Sequence, residues 1–159
     1  MTSFTALTAL RRFALSMLPL GTLLLFGAPK VSDLNPAAIK VTMPDKIPWV
    51  ENEKAGSAQA VVLGDPSKPG LYITLTKWHA GHMSRPHFHP NDRYITVLSG
   101  TWWVGTGAKY DPASTVPLPA GSFIVHTGKE IHYDGAKEGD AVLQILGMGP
   151  ATSNPAEKK

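Results

Sequence analysis

His87 and His89 are the residues whose type and spacing point most directly to chemistry. They lie two residues apart in the run 81–93, GHMSRPHFHPNDR, in an extended, β-type context. On a strand alternate side chains point to the same face, so both imidazoles can reach one point. His132 follows behind a second glycine-rich stretch. Because imidazole is a common ligand of zinc, iron, copper and nickel, we predict a metal site formed by His87, His89 and His132.

Arg93 shares a face with these two histidines if the strand register continues through position 91. A guanidinium cannot coordinate a metal and repels a dication. In that register we expect Arg93 to bind a substrate carboxylate or enolate beside the metal. The alternative is a register shift at 90–92 that turns Arg93 outward to pair with Asp92 or another surface acid. The sequence leaves both alternatives open.

No residue stands out as a general base. Tyr94, His126 and Glu130 are the candidates, and we place Tyr94 and His126 with Arg93 in the predicted catalytic set. His126 is expected to line the pocket or the core, with a role as fourth ligand as the alternative. Asp134 lies in a turn-like segment and is interpreted as a turn residue.

Short β-type runs between glycines and prolines predict the elements that position these residues. The runs are 59–63, 71–78, 93–98, 101–105, 122–126, 131–133 and 141–146. They recur at a spacing typical of short strands joined by turns, and no convincing amphipathic helix follows residue 31. This pattern predicts a single all-β domain, either a sandwich or a barrel.

The first 28 residues are typical of an export signal. Arg11 and Arg12 precede an apolar run over 13–28, which is short for a membrane span of about 20 residues. We therefore predict a signal peptide at 1–28 with an uncertain cleavage site and a periplasmic or secreted protein. After signal removal we expect no stable association with a membrane. An uncleaved N-terminal anchor is the alternative.

The remaining chain divides into a leading segment at 29–58, a barrel at 59–149 and a polar tail at 150–159. With 159 residues, 43% of them hydrophobic, the chain can form one globular core. Removal of 1–28 leaves it nearly neutral and without a basic cluster, which argues against a nucleic-acid partner. The absence of cysteine excludes disulfides and thiolate ligands.

The spacing around the two histidines resembles the first motif of the cupin superfamily. That motif has a glycine, five residues, His-x-His, three or four residues, a glutamate, six residues and a glycine. This chain has Gly81, His87, His89 and Gly100 at the matching positions, with Arg93 in place of the glutamate. The resemblance implies an RmlC-like jelly-roll β-barrel with a metal site inside.

The second cupin motif is a weaker match. Gly121 and His132 keep its spacing, while Thr127 and Lys129 stand where proline and glycine are expected. With no glutamate in the first motif, the resemblance is to cupins with three-histidine sites, exemplified by thiol and diketone dioxygenases. It implies a divalent metal ion, Fe(II) foremost, with Zn, Mn, Ni or Cu as alternatives. A homodimer is a further expectation from the family.

Three functions remain open on these grounds. The first is an exported, metal-dependent enzyme, dioxygenase-like or lyase-like, that acts on a small anionic or enolisable molecule. The second is a non-catalytic extracytoplasmic module that binds a metal or small ligand. The third is a metal-free sugar isomerase-type cupin that uses the histidines in acid–base chemistry.

Overall fold

β-branched and aromatic runs form most of the strands. The computed structural model describes residues 28–158. These residues contain three short 3-10 helices, at Val31–Asp33, Pro44–Lys46 and Pro112–Ser114. They also contain eleven strands, namely β1 Val50–Asn52, β2 Ser57–Leu63, β3 Gly70–Trp78, β4 His87–Phe88, β5 Arg93–Ser99, β6 Thr101–Thr106, β7 Val116–Pro119, β8 Phe123–His126, β9 His132–Gly135, β10 Ala141–Gly149 and β11 Asn154–Pro155. The predicted all-β class is confirmed.

The strands form two antiparallel sheets. One has the order β1-β2-β3-β10-β5-β8 and the other the order β11-β4-β9-β6-β7. Strands that are distant in the chain are therefore neighbours in both sheets, as in a jelly roll. Inward side chains from the two sheets form one hydrophobic core, which contains Tyr72, Ile95, Val97, Trp102, Ala136, Ala141, Leu143 and Ile145.

The register of four strands brings the chemically active residues to the barrel interior. His87 on β4 lies directly opposite His132 on β9. In the other sheet, Arg93 on β5 lies directly opposite His126 on β8. Both pairs place their side chains on the inner faces of their sheets, so each sheet contributes two of these residues.

Gly100 makes the tight turn that joins β5 to β6. Its φ of +74° lies in the left-handed region that favours glycine. A Cβ at this position would lie 2.0 Å from the backbone oxygen of Asp140. The glycine that ends the first motif therefore has a steric reason for being there. The two strands that it joins lie in different sheets, so the turn connects the sheets and does not close a hairpin.

Three strands were not predicted, and a fourth, β4, is shorter than the histidine run led us to expect. β1 and the start of β2 precede the expected barrel limit at residue 59, and β4 contains His87 but ends at Phe88, before His89. β7 lies in 107–119, which was expected to be a connection, and its two prolines are accommodated at the sheet edge. β11 lies in the expected polar tail and pairs with β4. These strands have two to four residues, too few to give a readable periodicity.

The chain divides into two units between Val41 and Thr42. In the first unit, the helix at Val31–Asp33 contains no buried residue. Except for Ala28, the predicted signal peptide lies outside the described residues. Within 28–158, no helix has the length and apolar character needed to cross a membrane.

Candidate metal centre

Three histidine rings converge inside the barrel. The ring centroids of His87 and His132 are 4.6 Å apart, those of His87 and His89 are 4.9 Å apart, and those of His89 and His132 are 5.3 Å apart. One nitrogen from each ring lies within 4.8 Å of the other two. The structure thus brings together the three residues that the sequence nominated as ligands.

Each of these rings donates its Nδ1 hydrogen to a backbone carbonyl. The acceptors are the oxygen atoms of Arg85 (2.8 Å from His87), Thr152 (2.8 Å from His89) and Glu130 (3.1 Å from His132). A carbonyl oxygen can only accept, so the hydrogen must be on Nδ1 in each ring. In the neutral imidazoles the lone pair is therefore on Nε2, the form and orientation that a metal ligand requires.

The Nε2 atoms have no satisfactory hydrogen-bond partner among the residues that the structure describes. Those of His87 and His89 are 3.1 Å apart, and two lone pairs at that distance cannot form a hydrogen bond. Burial lowers the pKa of His89 to about 3, which argues against a bridging proton on this ring at neutral pH. The Nε2 of His132 is buried without a hydrogen-bond partner, and burial lowers the pKa of this ring to about 4.

A divalent cation between the three Nε2 atoms would satisfy all of them. The donor set fits Fe(II), Zn, Mn, Ni or Cu, because neutral imidazole is a borderline-soft ligand for these ions. Three protein ligands also leave coordination positions for water or a substrate. The residues present therefore fit the metal that the sequence led us to expect.

Arg93 points into the barrel. It lines the space beside His87, and Asp92, its proposed surface partner, instead accepts a hydrogen bond from the backbone nitrogen of Gly128 at 2.7 Å. The Nε of Arg93 is buried and has no hydrogen-bond partner. Burial lowers the pKa of Arg93, although the negative charge of Asp134 opposes this effect. Of the two alternatives for this residue, the inward one is observed.

His126 lies between two other rings. Its centroid is 3.8 Å from that of His132 and 5.3 Å from that of Trp102. Both of its ring nitrogens are buried without a hydrogen-bond partner, and burial lowers its pKa to about 2. The residue lines the interior as expected. It lies outside the group formed by His87, His89 and His132, but with His132 and Asp134 it forms a second group whose possible ligand atoms lie within 4.8 Å of one another.

Tyr94 and Glu130 lie outside the site. Tyr94 is 43% exposed and faces the surface beside Asn91 and Met148. Strand alternation turns Tyr94 away from its neighbour Arg93, so the structure does not bring it together with the rest of the predicted catalytic set. The side chain of Glu130 is exposed, and only its carbonyl takes part, as the acceptor for His132.

Asp134 is a residue of the site that the sequence interpretation missed. It lies on β9 two residues after His132, so both side chains point inward. It is 4% exposed, and its Oδ1 accepts a hydrogen bond from Nε1 of Trp102 at 3.2 Å. The interpretation as a turn residue is wrong. The available clue was alternation, since a strand predicted to begin at 131–133 places position 134 on the face of His132.

The C-terminal residues hold two of the histidines in position. Thr152 provides the carbonyl that orients His89, and β11 pairs with β4 beside His87. The side chain of Glu157 forms a two-point ion pair with Arg85, whose guanidinium lies 3.8 Å from the ring centroid of Tyr110. The expected polar tail is thus part of the support of the centre.

A large cavity of about 1100 Å³ opens next to His87. Its polar walls include His87, Arg93 and Asp134, and its apolar walls include Trp102 and Leu143. A small organic molecule in this space would meet one candidate metal ligand, one cation and one carboxylate. The arrangement can therefore bind a molecule that carries both oxygen ligands and a negative charge.

Comparison with known proteins identifies the fold. No protein-family model matches the sequence, and no curated protein matches it. Among solved structures, the chain is similar to the polyketide cyclase RemF from Streptomyces resistomycificus, with a TM-score of 0.63 and 14% identity over 76% of this chain and 87% of that one.

Two further structures carry the fold assignment. An uncharacterized protein with a double-stranded β-helix domain from Klebsiella pneumoniae gives a TM-score of 0.57 at 20% identity, over 76% of this chain and 99% of that one. A cupin-2 domain from Rhodospirillum rubrum gives 0.55 at 11% identity, over 76% and 80%. With two antiparallel sheets in jelly-roll order and these matches, the chain has the cupin fold.

Proposed function

We propose that this chain is an exported, metal-dependent enzyme that acts on a small anionic or enolisable molecule at a mononuclear three-histidine centre. One observation carries the proposal: three imidazoles donate Nδ1 to backbone carbonyls and direct Nε2 to a common point. Such fixed tautomers are typical of metal ligands. Proteins of this fold include one named as a polyketide cyclase, so the fold can support an enzyme.

His87, His89 and His132 would hold the ion, with Fe(II) foremost and Zn, Mn, Ni or Cu as alternatives. When bound, the ion would supply Lewis acidity or the activation of dioxygen. Arg93 would bind and orient the negatively charged part of the substrate. The apolar walls at Trp102 and beyond would exclude bulk water, which strengthens the attraction between Arg93 and an anion.

A dioxygenase-like oxidoreductase is our first choice of reaction, and a lyase-like reaction is the second. The absence of a carboxylate at position 93 favours a three-histidine site over the two-histidine, one-carboxylate set of many oxygen-activating iron enzymes. The assignment to an exported protein rests on the sequence of residues 1–28 alone.

Metal analysis of untagged protein, expressed without residues 1–28, is the first test. We expect close to one equivalent of a divalent transition metal after dialysis. Less than about a tenth of an equivalent, with no uptake of added Fe(II) or Zn, would contradict the proposal and favour the metal-free isomerase.

Activity measurements then separate the remaining alternatives. Iron-loaded protein is incubated with diketones, thiols and phenolic acids while oxygen uptake and product formation are followed. Oxygen uptake with product supports the dioxygenase, and product without oxygen uptake supports the lyase. Saturable binding without product, across the panel, supports the non-catalytic module.

A further inference from the structure

Arg93 borders two cavities. The large cavity lies beside His87, and a small cavity of about 330 Å³ extends away from it. Both cavities are lined by Gln59, Arg93 and Ile145, so they adjoin at these side chains. A molecule in the small cavity can therefore contact the guanidinium and still extend into the large cavity.

Within residues 28–158, the guanidinium of Arg93 forms no ion pair. Within residues 28–158 no carboxylate oxygen lies within 4.0 Å of its nitrogens, and its Nε is buried without any partner. Guanidinium groups remain charged in proteins, and a buried charge is costly unless it is paired. The structure thus leaves a place for an anion that comes from outside.

Tyr72 is directed toward Arg93 across a glycine. In the β3–β10–β5 register, Gly147 lies opposite Tyr72 on one side and opposite Arg93 on the other. A Cβ on Gly147 would lie 2.7 Å from the Tyr72 hydroxyl, which shows that this hydroxyl extends over the glycine. Tyr72 is 2% exposed and lines the small cavity together with Arg93.

The remaining walls of the small cavity are neutral. Ser67, Thr74 and Thr152 are among its polar residues, while two prolines, an alanine and Ile145 provide apolar surface. One cation and one phenol suit a singly charged, planar group better than a phosphate dianion. A carboxylate matches the forked donors of arginine in both charge and shape.

We infer that Tyr72 and Arg93 form a carboxylate clamp in the small cavity, and that the substrate is a short carboxylic acid whose other end extends past His87 in the large cavity. The second part rests on the proposed function, whereas the clamp itself does not require a metal. Arg93 binds the carboxylate through two parallel hydrogen bonds, and the Tyr72 hydroxyl donates a third. The apolar walls contact the first carbons of the chain.

The test compares butyrate with butyramide, which has nearly the same shape but no charge. Binding to chelator-treated protein is measured by ligand-observed NMR and by calorimetry. We expect wild-type protein to bind butyrate at least about tenfold more tightly than butyramide. Arg93→Gln should remove this preference, and Tyr72→Phe should weaken butyrate binding severalfold while butyramide binding stays the same. Lys109→Gln, which removes an exposed cation, should behave as wild type.

Several results would overturn the inference. Equal binding of butyrate and butyramide to wild-type protein would contradict the clamp. So would an undiminished preference for butyrate in Arg93→Gln. Tighter binding of inorganic phosphate than of butyrate would indicate a site for tetrahedral anions instead. If circular dichroism shows that Arg93→Gln does not fold, Arg93→Lys and Tyr72→Phe are used to test the clamp. Both variants should reduce the preference for butyrate over butyramide.

Metal content is measured on the same samples, so that the two proposals fail separately. Carboxylate preference in a protein that takes up no metal would leave the clamp standing and contradict the proposed enzyme. Metal uptake without any carboxylate preference would contradict the clamp and leave the proposed enzyme standing.

Discussion

His87 and His132 are directly opposed across the antiparallel pair β4–β9, with ring centroids 4.6 Å apart. Opposed residues of neighbouring strands have their Cβ atoms about 4.5–5.5 Å apart on the same face of the sheet. Two candidate ligands from separate motifs are therefore held by backbone hydrogen bonding rather than by a flexible loop. His89, which follows β4, is oriented separately by the carbonyl of Thr152.

His87→Ala should abolish metal retention, because it removes one of three ligands and leaves two that cannot hold the ion against dialysis. Elemental analysis after dialysis gives the measurement, with at least a tenfold drop in bound metal expected. His82→Ala, which removes an exposed histidine five positions earlier, is the matched control and should retain the wild-type content. Unimpaired binding in His87→Ala would refute the ligand assignment.

Arg93→Met should stabilise the ligand-free, metal-free protein. The substitution replaces a half-buried guanidinium, whose Nε is buried without a partner in the described residues, with an apolar side chain, so the free energy of unfolding should rise by about 1 kcal/mol. Urea denaturation measures this quantity. Arg85→Met is the contrasting control, since Arg85 is paired with Glu157, and it should give no increase. A clear loss of stability in Arg93→Met would mean that the guanidinium supports the barrel.

Acidification below about pH 6.5 should destabilise the metal-free protein. Burial lowers the pKa values of His89, His126 and His132 to about 3, 2 and 4 from the ordinary value of 6.5. Between these values and 6.5 the unfolded chain binds more protons than the folded one. The free energy of unfolding therefore falls as the pH falls through this window and is fully retained above it. Thermal denaturation between pH 7 and pH 4 provides the measurement.

His126→Phe isolates one part of this effect. Phenylalanine keeps the ring beside Trp102 but does not titrate, so the slope of stability against pH should decrease by about one proton, roughly 1.4 kcal/mol per pH unit. The same slope in His126→Phe and wild type would show that His126 is not a buried neutral group.

Removal of residues 151–159 should weaken metal binding by about 10–100-fold, the effect typical of losing the groups that orient a ligand. The truncation deletes the carbonyl that accepts from His89 and the strand that pairs with β4. Competition with a chromogenic chelator measures the affinity. Removal of 157–159 keeps β11 and loses Glu157, so its effect should be smaller. Equal affinity in all three proteins would show that the C-terminal residues do not support the centre.

Much of the fold could be predicted because its longer strands carry a local pattern. Runs such as 71–78 contain β-branched and aromatic residues, which favour strands and can be recognised without knowledge of the neighbouring strands. The three histidines could be found because alternation and motif spacing are properties of the sequence itself. The same alternation places Tyr94 on the face opposite to Arg93 and Asp134 on the face of His132.

Other features could not be predicted from the local sequence. The direction of Arg93 did not follow from His89, because β4 ends at Phe88 and β5 begins at Arg93, so no continuous strand connects them. Thr152 orients His89 through its backbone carbonyl. Because every residue has a backbone carbonyl, the residue type at position 152 gives no sign of this role. β11 is a strand because β4 lies beside it, and its two residues carry no strand signal of their own.

The pairing of β11 with β4 sets an order of events during synthesis. His87, His89 and His132 are all made before residue 152, yet the carbonyl that fixes His89 and the strand beside His87 come later. A nascent chain that has reached only β10 therefore holds all three ligands without the complete support that orients them. The orientation of His89 and the pairing of β4 are therefore complete only when residues 152–155 have joined the sheet.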